Sequence, residues 1–192
     1  DYFTDFGTSI PELDVLSTGN LTIVGALNMD TSTDAGSPLT AESIIKNFGT
    51  ISVGGIATLL KNSVLDNYGT ITLAKGGVFA DQSSITNSGT IEVVSGTLDV
   101  EVGIANFVTT TVDESPVTTP GTIQVDGGAT LKLSDGATVT KGEVTLGSLS
   151  VLDVEKGAAL LPAGTPDATL DGVTVIGTSG PTVSMIEIGV SL

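Results

Sequence analysis

Asn47-Phe48-Gly49-Thr50-Ile51, Asn67-Tyr68-Gly69-Thr70-Ile71 and Asn87-Ser88-Gly89-Thr90-Ile91 are one five-residue phrase written three times. The intervals are 67 − 47 = 20 and 87 − 67 = 20 residues. A strict period of this size marks a solenoid, in which each repeat is a coil that buries its apolar side only by stacking on its neighbours. Within each copy the residues alternate. Ile51 and Val53, Ile71 and Leu73, and Ile91 and Val93 are expected to point inward; Thr50 and Ser52, Thr70 and Thr72, and Thr90 and Glu92 outward. Period two is a strand. Glycines follow (Gly54-Gly55, Gly76-Gly77, Gly96), then a second short apolar run (57–60, 78–80, 98–100), then a third before the next Asn. No run is long enough to form a hairpin with its successor, so each pairs with its counterpart one period on and the sheets are parallel. The expected fold is all-β: a right-handed parallel β-helix with about 20 residues per regular coil. The hand follows from the strong bias of parallel crossovers, and about eight coils fit the length.

Working outward, Gly19-Asn20-Leu21-Thr22-Ile23-Val24 is a degenerate earlier copy, and 19–192 reads as the β-helix. Residues 1–18, with Asp1, Asp5, Pro11, Glu12 and Asp14, read as an N-terminal lead-in or cap segment. A polar loop at 29–40 lengthens the first coil. After the third copy the phrase returns late, as Gly121-Thr122-Ile123, and 121 − 89 = 32 is one period plus a twelve-residue excursion placed at 107–119. Looser coils follow, with a third loop at 161–168 and an alternating apolar strand near 185–192. The open edge of such a strand calls for cover, by further chain or by a second copy.

Composition narrows function. Apolar residues make up 40% of the chain, aromatics only 4%, and Val, Ile, Leu, Thr and Gly dominate, which is a strand-and-turn composition. Acidic residues number 22 against 6 basic ones, all lysine, for a net charge of −16. That excludes a nucleic-acid footprint. With no Arg and no His, the usual phosphate clamp and general base are missing. The absence of Cys is compatible with bacterial export, and no stretch approaches the length of a membrane helix.

The repeated positions read as architecture. Asn47, Asn67 and Asn87 are expected to form an amide ladder at a corner, helped by the tolerance of Asn for left-handed backbone. Phe48 and Tyr68 are expected to meet one coil apart, and Thr50, Thr70, Thr90 and Thr122 to line an outward column. That column does not make an ice-binding array, because its neighbour reads Ser52, Thr72, Glu92, Gln124. The acidity leaves Ca²⁺ as the one cofactor to weigh, with Asp113, Glu114, Asp30 and Asp34 as weak candidate ligands. Gly76-Gly77-Val78-Phe79-Ala80-Asp81 keeps only part of a calcium-binding nonapeptide, and no EF-hand loop is present. Glu92, Asp99 and Glu101 are the nearest thing to a carboxylate group for glycoside hydrolysis and read as solvated surface charge. No catalytic residue is assigned.

The Asn-x-Gly-Thr-Ile phrases followed by Gly-Gly, with Ala168-Thr169-Leu170-Asp171-Gly172-Val173-Thr174-Val175, resemble the β-helical repeat regions of large exported bacterial surface proteins. These include autotransporter passengers and repetitive adhesins. The resemblance covers about residues 19–190. It implies an extracellular stalk or adhesive module at the bacterial cell surface, without catalytic residues. The implied partners are a host or surface glycan or protein receptor, or copies of the chain end to end, and the segment does not enter a membrane. A self-assembling filament or surface-layer subunit, a polysaccharide-active β-helix enzyme and a phage tail-fibre part remain alternatives.

Overall fold

The structure, a computed structural model, describes residues 12–29, 43–60, 63–80, 83–134, 136–155 and 167–177, and the backbone of 185–188. Short strands follow one another in groups of three. The first coil holds β1 (Glu12–Val15), β2 (Asn20–Ile23) and β3 (Leu27–Met29); the second β4 (Ile44–Asn47), β5 (Thr50–Val53) and β6 (Ala57–Leu59). The third holds β7 (Val64–Asn67), β8 (Thr70–Leu73) and β9 (Gly76–Phe79); the fourth β10 (Ser84–Asn87), β11 (Thr90–Val93) and β12 (Thr97–Val100). The fifth has β13 (Ile104–Ala105), an inserted pair β14 (Phe107–Val112) and β15 (Ser115–Pro120), then β16 (Thr122–Val125) and β17 (Thr130–Leu133). The sixth is β18 (Thr138–Thr140), β19 (Glu143–Leu146) and β20 (Val151–Val154); the seventh β21 (Thr169–Asp171), β22 (Thr174–Gly177) and β23 (Met185–Ile188).

Each strand pairs with its counterpart in the next coil, which gives three parallel seven-stranded sheets. Sheet A contains the first strand of every coil, sheet B the second (β2, β5, β8, β11, β16, β19, β22) and sheet C the third. This is a parallel β-helix. The described residues form seven coils rather than about eight. The first begins at β1, inside the segment read from the sequence as a lead-in. Of the sequence-predicted loops, nearly all of 29–40 and most of 161–168 lie outside the described residues.

Alternation determines which side of each strand is buried. Ile51, Ile71, Ile91, Ile123 and Val144 stack in register in sheet B, with Val53, Leu73, Val93, Val125 and Leu146 two residues on. Sheet C contributes Leu59, Phe79, Val100 and Leu133; sheet A contributes Ile45, Leu65, Ile85, Ile104 and Val139. All are buried. Each such aliphatic contributes about 1.5–3 kcal/mol of apolar burial, so the core is one continuous column. Volume is balanced within the third coil, where Phe79 is the largest fully buried side chain and Gly77, the inward residue two before it, has none.

Candidate functional site

The corner between sheets A and B concentrates the unusual features. Each coil crosses it through the Asn-x-Gly phrase. Asn47, Asn67, Asn87 and Asn106 are each 0% exposed. Asn47 Nδ2 donates to Asn67 Oδ1 at 2.8 Å, Asn67 Nδ2 to Asn87 Oδ1 at 2.7 Å, and Asn87 Nδ2 to Asn106 Oδ1 at 2.7 Å. Every Nδ2 also donates to a backbone carbonyl across the corner, as Asn67 does to Thr90 O at 3.0 Å. At the top, Asn47 Oδ1 accepts from Gly49 N at 3.1 Å. At the bottom, Asn106 Nδ2 reaches Gly121 O, Glu143 O and Lys141 O at 3.1, 3.3 and 3.4 Å. Buried amides are thus satisfied in one chain, the condition under which polar groups can sit in a core.

The reason for Asn differs from the one read in the sequence. The non-glycine residues with positive φ among those described are Asp113, Glu114, Lys141 and Leu149, so the ladder Asn residues are not left-handed. Their amide chemistry, not their backbone tolerance, fits them to the corner. The glycine of the phrase has a similar explanation. A β-carbon at Gly69 would lie 2.1 Å from Gly49 O, and one at Gly89 2.0 Å from Gly69 O. The backbone of one coil presses on the next there, and only Gly fits.

The middle position of the phrase faces out. Phe48 and Tyr68 stack with centroids 4.8 Å apart and planes 4° from parallel, at 44% and 39% exposure. Ser88 continues that column in the fourth coil, and Phe107 begins the excursion in the fifth. Thr50, Thr70, Thr90 and Thr122 stand in register on the outer face of sheet B, half-buried, with Glu143 next.

Asn106 was missed in the sequence because its phrase is split. Asn87 to Asn106 is 19 residues, and Gly121 follows Asn106 after 15 instead of 2, so 13 residues are inserted at the single corner position. The excess of 32 over 20 is therefore 13 − 1, with the fourth coil one residue short. The insertion is an antiparallel hairpin of β14 and β15, registered Val112↔Ser115 to Phe107↔Pro120. Asp113 and Glu114 form its two-residue turn, with φ of 48° and 64°, the pattern of a type I′ turn. Residues 109–120 are all exposed. At the hairpin base, Lys141 Nζ lies 4.2 Å from the Phe107 ring centroid, a cation–π contact.

The candidate ligands are not brought together. Asp113 and Glu114 sit at the hairpin tip, and Asp30 and Asp34 lie outside the described residues. No group of three or more acidic, His or Cys residues suited to a metal occurs among the described residues. Glu92, on sheet B, accepts from Thr72 Oγ1 at 3.0 Å and Gln124 Nε2 at 3.2 Å. Asp99, on sheet C, is held by Lys132 Nζ at 3.1 Å and Ser134 Oγ at 2.6 Å, and Glu101 follows one residue after β12. The outer faces are laced by such pairs. Lys132 also meets Glu155 at 3.3 Å. Partial burial works against its charge, but the hydrogen bonds and charges of Asp99 and Glu155 outweigh that and raise its pKa above the ordinary lysine value. On sheet A, Lys46 bonds Glu12; that bond and the lysine charge lower the Glu12 pKa, and the same bond raises that of Lys46.

Fold and corner together define a three-sheeted parallel β-solenoid with an internal amide ladder and an inserted hairpin. Compared with family models, with curated proteins and with solved structures, the chain finds no match in any of the three. Among the described residues no helix is long and apolar enough to cross a membrane.

Proposed function

We propose that the chain is a non-catalytic structural and adhesive segment of an exported bacterial cell-surface protein. Its coils form a stiff stalk, and its excursions contact a surface glycan or protein receptor. The observation that supports this most is the way the hairpin is inserted. Thirteen extra residues enter at one outward corner position, and Asn87–Asn106, β11–β16 and β12–β17 still pair across it. A scaffold that accepts a protruding arm without loss of ladder or sheet suits display of contact surfaces. The sequence resemblance to surface repeats points the same way.

The test is binding of the purified chain to arrays of glycans and extracellular-matrix proteins. It is set against a variant in which Phe107–Pro120 is replaced by one Ser. We expect saturable binding that this variant loses while its circular dichroism is retained. A wild-type chain that binds nothing on the arrays counts against the adhesive role. Release of new reducing ends from a polysaccharide panel rejects the non-catalytic one.

Filament assembly through the coil ends has one observation in its favour. The inward Leu13 and Leu21 of the first coil, and Leu170 and Val175 of the last, are only half-buried. Against it, a coil stacked in the sheet register sets Asp171 beside Asp14. Negative-stain electron microscopy showing rods longer than one chain would favour this second reading.

A further inference from the structure

We propose that β14 is an open strand edge that pairs, antiparallel and about a two-fold axis at Thr109, with β14 of a second copy of this chain. The argument starts from the turn. In a two-residue type I′ hairpin the flanking residues exchange hydrogen bonds, and bonded and non-bonded pairs then alternate. Val112/Ser115, Thr110/Val117 and Val108/Thr119 are the bonded pairs; Thr111/Pro116, Thr109/Thr118 and Phe107/Pro120 point their backbone groups away from the partner strand. The Thr109 and Thr118 hydroxyls, 3.1 Å apart, span one of these non-bonded pairs.

The two outer edges are therefore unequal. On β15 two of the three outward positions are Pro116 and Pro120, which have no N–H, so Thr118 alone can donate. On β14 all three outward positions, Phe107, Thr109 and Thr111, carry an N–H. One edge has the proline block by which proteins prevent strand addition, and the other lacks it. Among the described residues no strand pairs with the β14 edge. Its sequence, Phe-Val-Thr-Thr-Thr-Val, has no charge, no proline and five β-branched residues, so nothing in it discourages pairing. A lone two-stranded hairpin is marginal in water, and this one leaves Val112 and Val117 exposed at 53% and 45%. A four-stranded sheet β15-β14-β14-β15 gives those side chains neighbours.

Charge selects a second copy over a foreign strand. With Thr109 on the axis, Phe107 of one chain faces Thr111 of the other. The turn residues Asp113 and Glu114 then run past the other chain's Phe107 to its hairpin base. Lys141 sits there over the ring and makes no ion pair among the described residues. Each acidic tip meets the other copy's lysine, twice by symmetry, which offsets part of the repulsion between two chains of net charge −16.

Sedimentation velocity over a concentration series tests this. The contact is small, so a dimer with a dissociation constant of about 10 µM to 1 mM is expected. Thr109→Pro removes an outward donor while sparing the bonds inside the hairpin, as Pro116 and Pro120 already do. It is expected to be monomeric throughout, with an unchanged circular dichroism spectrum. The chain has no Cys, so Thr109→Cys reports the axis directly. A bonded pair brings its Cα atoms to about 5.5 Å, within disulfide range. Oxidation should link this variant at least about tenfold faster than Thr118→Cys on the blocked edge. The cysteine pair decides the matter even if the proline disturbs the hairpin. A wild-type chain monomeric at about 1 mM, a dimer indifferent to Thr109→Pro, or equal linking rates overturns the proposal. Receptor binding is a separate matter, because its test removes the whole hairpin and these variants alter one edge position.

Discussion

Asn67 both accepts and donates within the ladder, whereas Asn47 has a ladder partner on one side only. Truncating Asn67 to Ala strands the Oδ1 of Asn87 in a buried corner and takes a partner from Asn47 Nδ2. A loss of about 2–4 kcal/mol is expected, and Asn47→Ala should cost about half as much; urea denaturation measures both. The glycines give a sharper contrast. Gly69→Ala places a methyl 2.1 Å from a backbone oxygen and should cost at least about 3 kcal/mol. Gly128→Ala has open space but a φ of +81°, so about 1 kcal/mol is expected. Gly25→Ala meets nothing within 4 Å at an ordinary φ and should be silent. Three rungs of the ladder were legible because the phrase repeats without a gap. The fourth was not, because Asn106 and Gly121 are adjacent in space and 15 residues apart in sequence. The crowding behind each phrase glycine is a property of stacked backbones, which a letter G does not reveal.

At the scale of elements, the parallel strands could be read from their alternation, since period two and a fixed interval together leave little freedom. The hairpin could not. Its strands are a Val- and Thr-rich run and a Pro-containing one, and its turn is Asp-Glu rather than the Asn-Gly that announces positive φ at two successive residues. The first strand escaped for another reason: Glu12-Leu13-Asp14-Val15 precedes the first recognisable phrase, so no interval pointed to it. If the hairpin is a graft on an intact coil, replacing Phe107–Pro120 by Ser recreates Asn-Ser-Gly-Thr-Ile, the wording of the fourth coil. The shortened protein should keep its midpoint within a few degrees, and a collapse of the melting transition would show that the hairpin supports the coil. Ser88→Tyr should extend the Phe48–Tyr68 stack by one ring. It should add about 0.5–1.5 kcal/mol, read from the same melts.

For the whole molecule, electrostatics set the response to pH and salt. The raised pKa of Lys132 means that its contribution is complete below the ordinary lysine pKa and is lost as pH rises through the higher folded value. Melting temperature should therefore fall on the alkaline side, and Lys132→Met should flatten that limb. Glu12 acts oppositely and weakly, since its lowered pKa makes a contribution that disappears only as pH falls through the folded value. With a net charge of −16, raising salt from about 10 mM to 150 mM shortens the screening length from about 30 to 8 Å. The midpoint should rise over that range.

Stacking at one strand spacing also fixes how the chain responds to load. A regular coil advances the axis by about 4.8 Å, yet its 20 residues span up to about 70 Å when drawn straight. Pulled by its ends, such a chain is expected to unspool one coil at a time, because each coil touches only its neighbours. Every release lengthens the tether roughly fifteenfold over the height that the coil occupied. The fifth coil, with its hairpin, should give a longer step than the rest, so an optical-trap trace would carry a signature of where that insertion lies.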